Sequence, residues 1–126
     1  MSLTKEKKQN TEEEKLAVAY LNAVKSSPLK VIKLTRNLTN LSVAEVLTKL
    51  KFCNLKIAKP VRDLVYSAMS NAENNHNMDV DNLFIKRIDV GRAFVLKRFS
   101  ARARGRSSKI EKTFSNIRVV LAEKQN

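Results

Sequence analysis

Between Lys97 and Lys112 the chain reads Lys-Arg-Phe-Ser-Ala-Arg-Ala-Arg-Gly-Arg-Ser-Ser-Lys-Ile-Glu-Lys, seven cationic residues and one anionic among sixteen. Burying that much unpaired charge costs far more than the few apolar residues here return, so the stretch cannot be a core element. Small residues (Ala101, Ala103, Gly105, Ser107) alternate with arginine and space the guanidinium groups along a slim backbone. Gly105 offers the one position where the chain can turn with positive φ. Cations at this density suit one chemistry, the neutralisation of phosphates. The expected partner is nucleic acid, set against the plainer reading of a solvated basic loop.

No second constellation in the chain does chemistry. His76 is the sole histidine and stands among asparagines, with no Cys or acidic cluster at ligand spacing. Gly91 and Gly105 are the only glycines, too few for a phosphate-cradling loop. Ser107 and Ser108 read as turn formers, with no base to activate them. No catalytic residue, metal or cofactor is therefore expected, and the enzyme class loses its support. Cys53 is the single cysteine, which excludes an intramolecular disulfide and suits a reducing compartment.

Composition agrees with a polyanion partner. The 126 residues carry 25 Lys and Arg against 12 Asp and Glu, a formal +13. Self-repulsion of that size gives a soluble enzyme nothing, whereas a phosphate binder gains affinity and fast association. No run of eighteen apolar residues exists, and the N-terminus has no apolar stretch long enough for a secretory signal. The expectation is a soluble, cytoplasmic protein without membrane contact. Its length suits one domain over 16–126, preceded by a polar, disordered extension over 1–15.

The basic stretch needs elements to carry it. Alternation over Leu16–Val24 predicts a strand, apolar on both faces. Ser27 before Pro28 predicts a helix start, with Val31, Leu34, Thr35 and Leu38 on one face and Asn40 closing it. Ser42 and Glu45 form a capping box for a second helix that buries Val43, Val46, Leu47 and Leu50, with Leu41 and Val46 as a hydrophobic staple. The pair could be a helix-turn-helix DNA reader. Its outward groups (Glu45, Thr48, Lys49, Lys51) are a poor set for base edges, so packing explains it better. A third helix is predicted from about Lys56 to Asn75, with Val61, Leu64, Val65, Ala68, Met69 and Ala72 at helical spacing. Pro60 requires either a later start or a bend.

After a linker over 77–82, Leu83–Val90 and Ile117–Leu121 predict the paired arms of a long antiparallel ribbon, about 83–121, with the arginines at its tip. If 89–102 is extended, it reaches roughly 45 Å at about 3.3 Å per residue, more than a small domain needs for its own core. Phe94 and Phe114 are expected to pack across the strands. Phe99 either packs likewise or stacks on an unpaired base.

Several of these segments together resemble a known family. Arg102-Ala103-Arg104-Gly105-Arg106, then Ile110, then Thr113-Phe114-Ser115-Asn116-Ile117-Arg118-Val119-Val120, resembles the C-terminal signature of the bacterial twenty-second protein of the large ribosomal subunit. Ser26–Val31 and Val43–Leu47 are similar to its first two helices, in order, and Ser67–Asn75 to the end of its third. The resemblance covers about 17–123. It implies an α+β fold, three helices packed on a small antiparallel sheet with a long protruding basic β-hairpin. It further implies a structural, RNA-binding role: a body near the peptide exit and a hairpin threading between large-subunit ribosomal RNA segments to line the tunnel, opposite the fourth large-subunit protein. The implied partners are ribosomal RNA, neighbouring large-subunit proteins and the nascent peptide, with no homo-oligomer.

By the same resemblance, Lys25, Ser27 and Lys30 on the body and Lys97, Arg98, Arg102, Arg104, Arg106, Lys109 and Lys112 on the hairpin are the RNA-binding positions. Lys33, to which the contact moves where Ile32 replaces an arginine, and Arg92 on the arm are further RNA-binding candidates. Lys97, Arg98, Phe99, Ser100, Ala101, Arg102 and Gly105 are the tip residues implied to line the tunnel. Five positions depart from the family pattern. Ala101 replaces a usual proline, Ile32 a common arginine, Thr39-Asn40 an Arg-Gly pair, and Asn116 a histidine. The alternative from another class is a DNA-bending architectural protein with a basic β-arm. Such arms carry an apolar or proline wedge at the tip, and here the tip is Arg-Gly-Arg.

Overall fold

A computed structural model describes residues 15–124; the expectation for the N-terminal extension lies outside them, apart from Lys15. Strand β1 (Leu16–Val24) is followed by helices α1 (Pro28–Thr35), α2 (Val43–Lys51) and α3 (Ala58–His76), then by the long strands β2 (Leu83–Ala101) and β3 (Ser107–Glu123). The sheet is antiparallel in the order β1-β3-β2, so the last strand takes the centre. The three helices cover one sheet face, as the α+β reading expected.

The core lies between them. Ala17 and Ala19 of β1, Leu83 and Ile85 of β2, and Ile117, Val119 and Leu121 of β3 join Val61, Leu64, Val65, Ala68 and Ala72 of α3 in one buried cluster. Alanines on both β1 and α3 let the helix approach the strand closely. There Asn71 Nδ2 donates to the Val18 carbonyl (3.1 Å), satisfying an acceptor that an edge strand would otherwise leave open.

Local chemistry sets the helix ends. Ser27 has the extended conformation of an N-cap with Pro28 in the first turn, but its side chain makes no capping bond. Helix α1 stops at Thr35, earlier than its apolar spacing suggested. Asn40 (φ 67°) does turn left-handed, but in the following connection, where its N–H bonds the Ile85 carbonyl at 2.8 Å and fastens the turn to β2. Ser42 caps α2, its Oγ accepting from the Glu45 N–H at 3.4 Å. Helix α3 begins at Ala58, later than Lys56, which places Pro60 within its first turn where it removes no helical bond. Asn77 (φ 50°) closes it, and the Met78 N–H reaches back to the Ala72 carbonyl (3.0 Å) while the Met78 side chain is buried.

Pairing between β2 and β3 slips twice, between Ile85 and Arg87 and between Arg92 and Val95. Each slip puts one extra residue into β2, a β-bulge. The first one reverses the alternation. Leu83 and Ile85 face the core before it, and Ile88 and Val90 pack on the core after it. The change of parity is visible in Leu83-Phe84-Ile85-Lys86-Arg87-Ile88, where the apolar positions pass from odd to even. β1 ends at Val24 opposite Ser115, so beyond Arg92 and Ser115 only two strands continue. The free arm is thus shorter than the extended segment suggested, roughly 30 Å for the nine residues from Ala93 to Ala101 at about 3.3 Å each.

Candidate nucleic-acid interface

The arm is built at its root by residues that the charge pattern does not reveal. Ser115 is fully buried, and its Oγ donates to the Ser26 carbonyl at 2.6 Å, fixing the end of β1 against the arm. Ala23 (φ 59°) lies in an irregularity of β1, where the Asn116 Oδ1 accepts its N–H at 3.0 Å. Just beyond, the second bulge brings Phe94 opposite Phe114, with ring centroids 4.5 Å apart and planes 18° from parallel. The expected cross-strand packing of these two rings is what the structure shows.

Past the rings the ribbon presents cations on both faces. Facing pairs share a face in an antiparallel ladder. Lys97 with Glu111 and Phe99 with Lys109 lie on one side, and Leu96 with Lys112 and Arg98 with Ile110 on the other. Ser100 pairs with Ser108 and Ala101 with Ser107, small residues that keep the end of the ribbon slim. Lys97, Arg98, Lys109 and Lys112 are all exposed, as is Arg92 at the root. Phe99 is 80% exposed, so it does not pack across the ribbon, and its ring is available for stacking.

The tip is a tight turn. Arg104 (φ 60°) and Gly105 (φ 68°) are both left-handed, and the Arg106 N–H bonds the Ala103 carbonyl at 3.4 Å. Two central residues of positive φ match the primed turns that suit the twist of paired strands. Gly105 is therefore not the only position that turns, because the turn needs both and imposes the conformation on an arginine. The Arg102 N–H donates to the Arg106 carbonyl (2.7 Å), and Arg102 Nε donates to Ser108 Oγ (3.0 Å), which sets the guanidinium across the strand ends. Arg98 Nη1 donates to the Lys97 carbonyl at 2.9 Å.

Charge compensation stops short of the arm. Asp89, within the three-stranded part, meets Arg87 at 3.1 Å and Arg118 at 3.9 Å. Arg118 also lies over the Tyr20 ring, 5.8 Å from its centroid, so this arginine is held by the body. None of the seven cations from Lys97 to Lys112 forms an ion pair among the described residues, although Glu111 faces Lys97 across the ladder. The result is an uncompensated positive ribbon.

The body carries a second basic region. Lys25, Lys30 and Lys33 line a groove of about 550 Å³ with Lys56, Asn54 and Leu55. Ser27, half-buried at the start of α1, is not among the lining residues. The structure thus brings Lys25, Lys30 and Lys33 together, and it leaves them apart from the hairpin set. Sequence reasoning missed Asn54, Leu55 and Lys56, which lie in the connection between α2 and α3. They have no motif, and only the tertiary fold brings this connection up against Lys25 and α1. No group of three or more His, Cys, Asp or Glu residues that could hold a metal occurs among the described residues. No helix among them is long and apolar enough to cross a membrane.

Comparison with known proteins agrees with this architecture. Residues 19–122 match the family model described as ribosomal protein L22p/L17e. Among curated relatives, a large ribosomal subunit protein uL22 of Phenylobacterium zucineum is 46% identical over 107 residues, 85% of each chain. The proteins of the same description from Zymomonas mobilis and Rickettsia felis are 45% and 40% identical, covering 89% and 91% of this chain and 89% and 97% of their own.

Proposed function

The chain belongs to the ribosomal protein L22p/L17e family, and from that premise we propose that it is a structural protein of the large ribosomal subunit that holds ribosomal RNA through its arm and body. The observation that carries the reading is the arm itself. Two strands leave the body beyond Arg92 and Ser115, bearing seven cations that nothing in the described chain neutralises. Lys97 and Lys109 face one way, and Arg98 and Lys112 the other. A ribbon charged on both faces suits insertion between RNA segments better than lying on a single duplex.

Within the subunit the body sits near the peptide exit, next to other large-subunit proteins. The arm reaches inward, and its end, from Lys97 to Gly105, lines the tunnel before the nascent peptide. Lys25, Ser27, Lys30 and Lys33 meet RNA on the body, and Arg92 meets it at the root. The Lys97 to Lys112 set meets it along the arm. Binding and support are the whole of the role, with no reaction catalysed. An architectural DNA-bending role fits less well. The turn at Arg104-Gly105 offers no wedge, and the exposed ring of Phe99 is set back from it along the strand.

The test is crosslinking with sequencing from a photoreactive residue at Arg104 in intact ribosomes. Crosslinks to large-subunit RNA of the tunnel wall and to nascent chains are expected. Crosslinks confined to subunit-surface RNA would overturn the tunnel placement. Absence of the protein from ribosomes, with recovery on DNA, would overturn the whole reading.

A further inference from the structure

The lysine-lined groove on the body has a shape that phosphate binding alone does not explain. A phosphate backbone is convex and polar, and isolated lysines on a flat or bulging surface serve it well. Here Lys25, Lys30, Lys33 and Lys56 surround a concavity of about 550 Å³ that also holds the side chains of Leu55 and Ile57. That volume is within the range of pockets that take small organic groups. Leu55 keeps 55% of its surface in solvent, an apolar group held at the mouth of a basic site. Asn54, also exposed at the lining, offers an amide that can both donate and accept. None of the four lysines is ion-paired among the described residues.

We propose that this groove takes a single unpaired RNA nucleotide. Its base would be seated against Leu55 and Ile57, with an edge on Asn54 and its flanking phosphates on Lys25, Lys30, Lys33 and Lys56. The inference rests on the RNA-binding reading above and specifies the kind of RNA that the body recognises. Four ammonium groups around an apolar floor complement a base with an apolar face, carried on a sugar with a phosphate on either side. A base stacked inside a duplex cannot enter such a concavity, whereas a bulged or looped-out one presents its face and its edge together. An acidic protein segment would satisfy the lysines, but it lacks the regular phosphate on either side of a flat group that a nucleotide brings.

The test uses the full-length protein and short RNA stem-loops, either fully paired or carrying one bulged nucleotide, with each of the four bases in turn. At least one bulged stem should bind about fivefold or more tighter than its paired counterpart, about 1 kcal/mol, the order that covering part of an apolar side chain contributes. Leu55→Ala should bring that ratio close to one, and Lys56→Glu, at an exposed position that cannot disturb the core, should lower it as well. Replacing Arg102, Arg104 and Arg106 by Ala should weaken both stems and preserve the ratio. Equal binding of bulged and paired stems by the unaltered protein would overturn the proposal, as would a bulge preference that survives Leu55→Ala. A photoreactive residue at position 55 should crosslink in ribosomes to one unpaired nucleotide, and a crosslink to protein would overturn the proposal. Failure to bind either stem is a different result, because it would overturn the RNA-binding reading itself.

Discussion

The rings of Phe94 and Phe114 stack 4.5 Å apart, one from each long strand, just past the point where β1 drops out of the sheet. Below them the ribbon has a third strand and a helical layer to pack on, and above them it has only itself. Beyond the stack, in the charged section, Phe99 and Ile110 are exposed to solvent. The stack acts as a clamp that sets where the arm begins.

Phe94→Ala should loosen the arm and spare the body. Stacked aromatic pairs contribute about 0.5–1.5 kcal/mol beyond the area they bury, so amide exchange between Val95 and Lys112 should quicken by about two- to tenfold. The amides of α3 should exchange as before. Equal acceleration in both regions would show that the rings support the whole domain and are not a local clamp.

Affinity for RNA should be strongly salt-dependent. Seven arm cations, each meeting a phosphate, predict a log–log slope of roughly −5 to −6. Replacing Arg102, Arg104 and Arg106 together by Ala should make it shallower by roughly 2–3. The melting temperature of the free protein should hardly move, since exposed substitutions change stability by about 0.5 kcal/mol at most. A titration of binding against salt decides this, and a wild-type slope shallower than about −2 would mean that the arm stays solvated.

Leu64→Ala should act in the opposite way. Leu64 is buried on the face of α3 that meets the sheet. Truncating such a residue costs about 2–5 kcal/mol, a large part of the stability of a small domain. Denaturant unfolding should show a lower midpoint at unchanged slope, and less protein should enter ribosomes. The salt dependence of RNA binding by the fraction that remains folded should not change.

Asn116→Ala should cost about 0.5–1.5 kcal/mol through the lost bond to the Ala23 N–H. The same change in an Ala23→Gly background should cost a similar amount, because glycine relieves the left-handed backbone at position 23 (φ 59°) but leaves the N–H unpaired. A double-mutant unfolding cycle measures it. A much smaller cost in the glycine background would mean that the Asn116 amide mainly holds a strained backbone in place.

The sequence by itself determined the parts that depend on local pattern and on charge. Ser42 with Glu45 announced the start of α2, the spacing from Val61 to Ala72 announced the buried face of α3, and Lys97 to Lys112 announced a segment that could not be buried. These are short-range facts, set by backbone geometry and by the cost of desolvating charge. Tertiary structure decided what depends on residues distant in the chain. The last strand runs between the other two, so Ser115 and Asn116 reach Ser26 and Ala23, some ninety residues earlier. The bulges in β2 set which residues face the core and where the arm starts, although only the shift from Ile85 to Ile88 hinted at the first of them. The groove likewise forms only because the connection between α2 and α3 carries Leu55 and Lys56 up against Lys25, Lys30 and Lys33. Charge content is additive along a chain and can be read from it, whereas a concave site is a property of packing and appears only when distant segments meet.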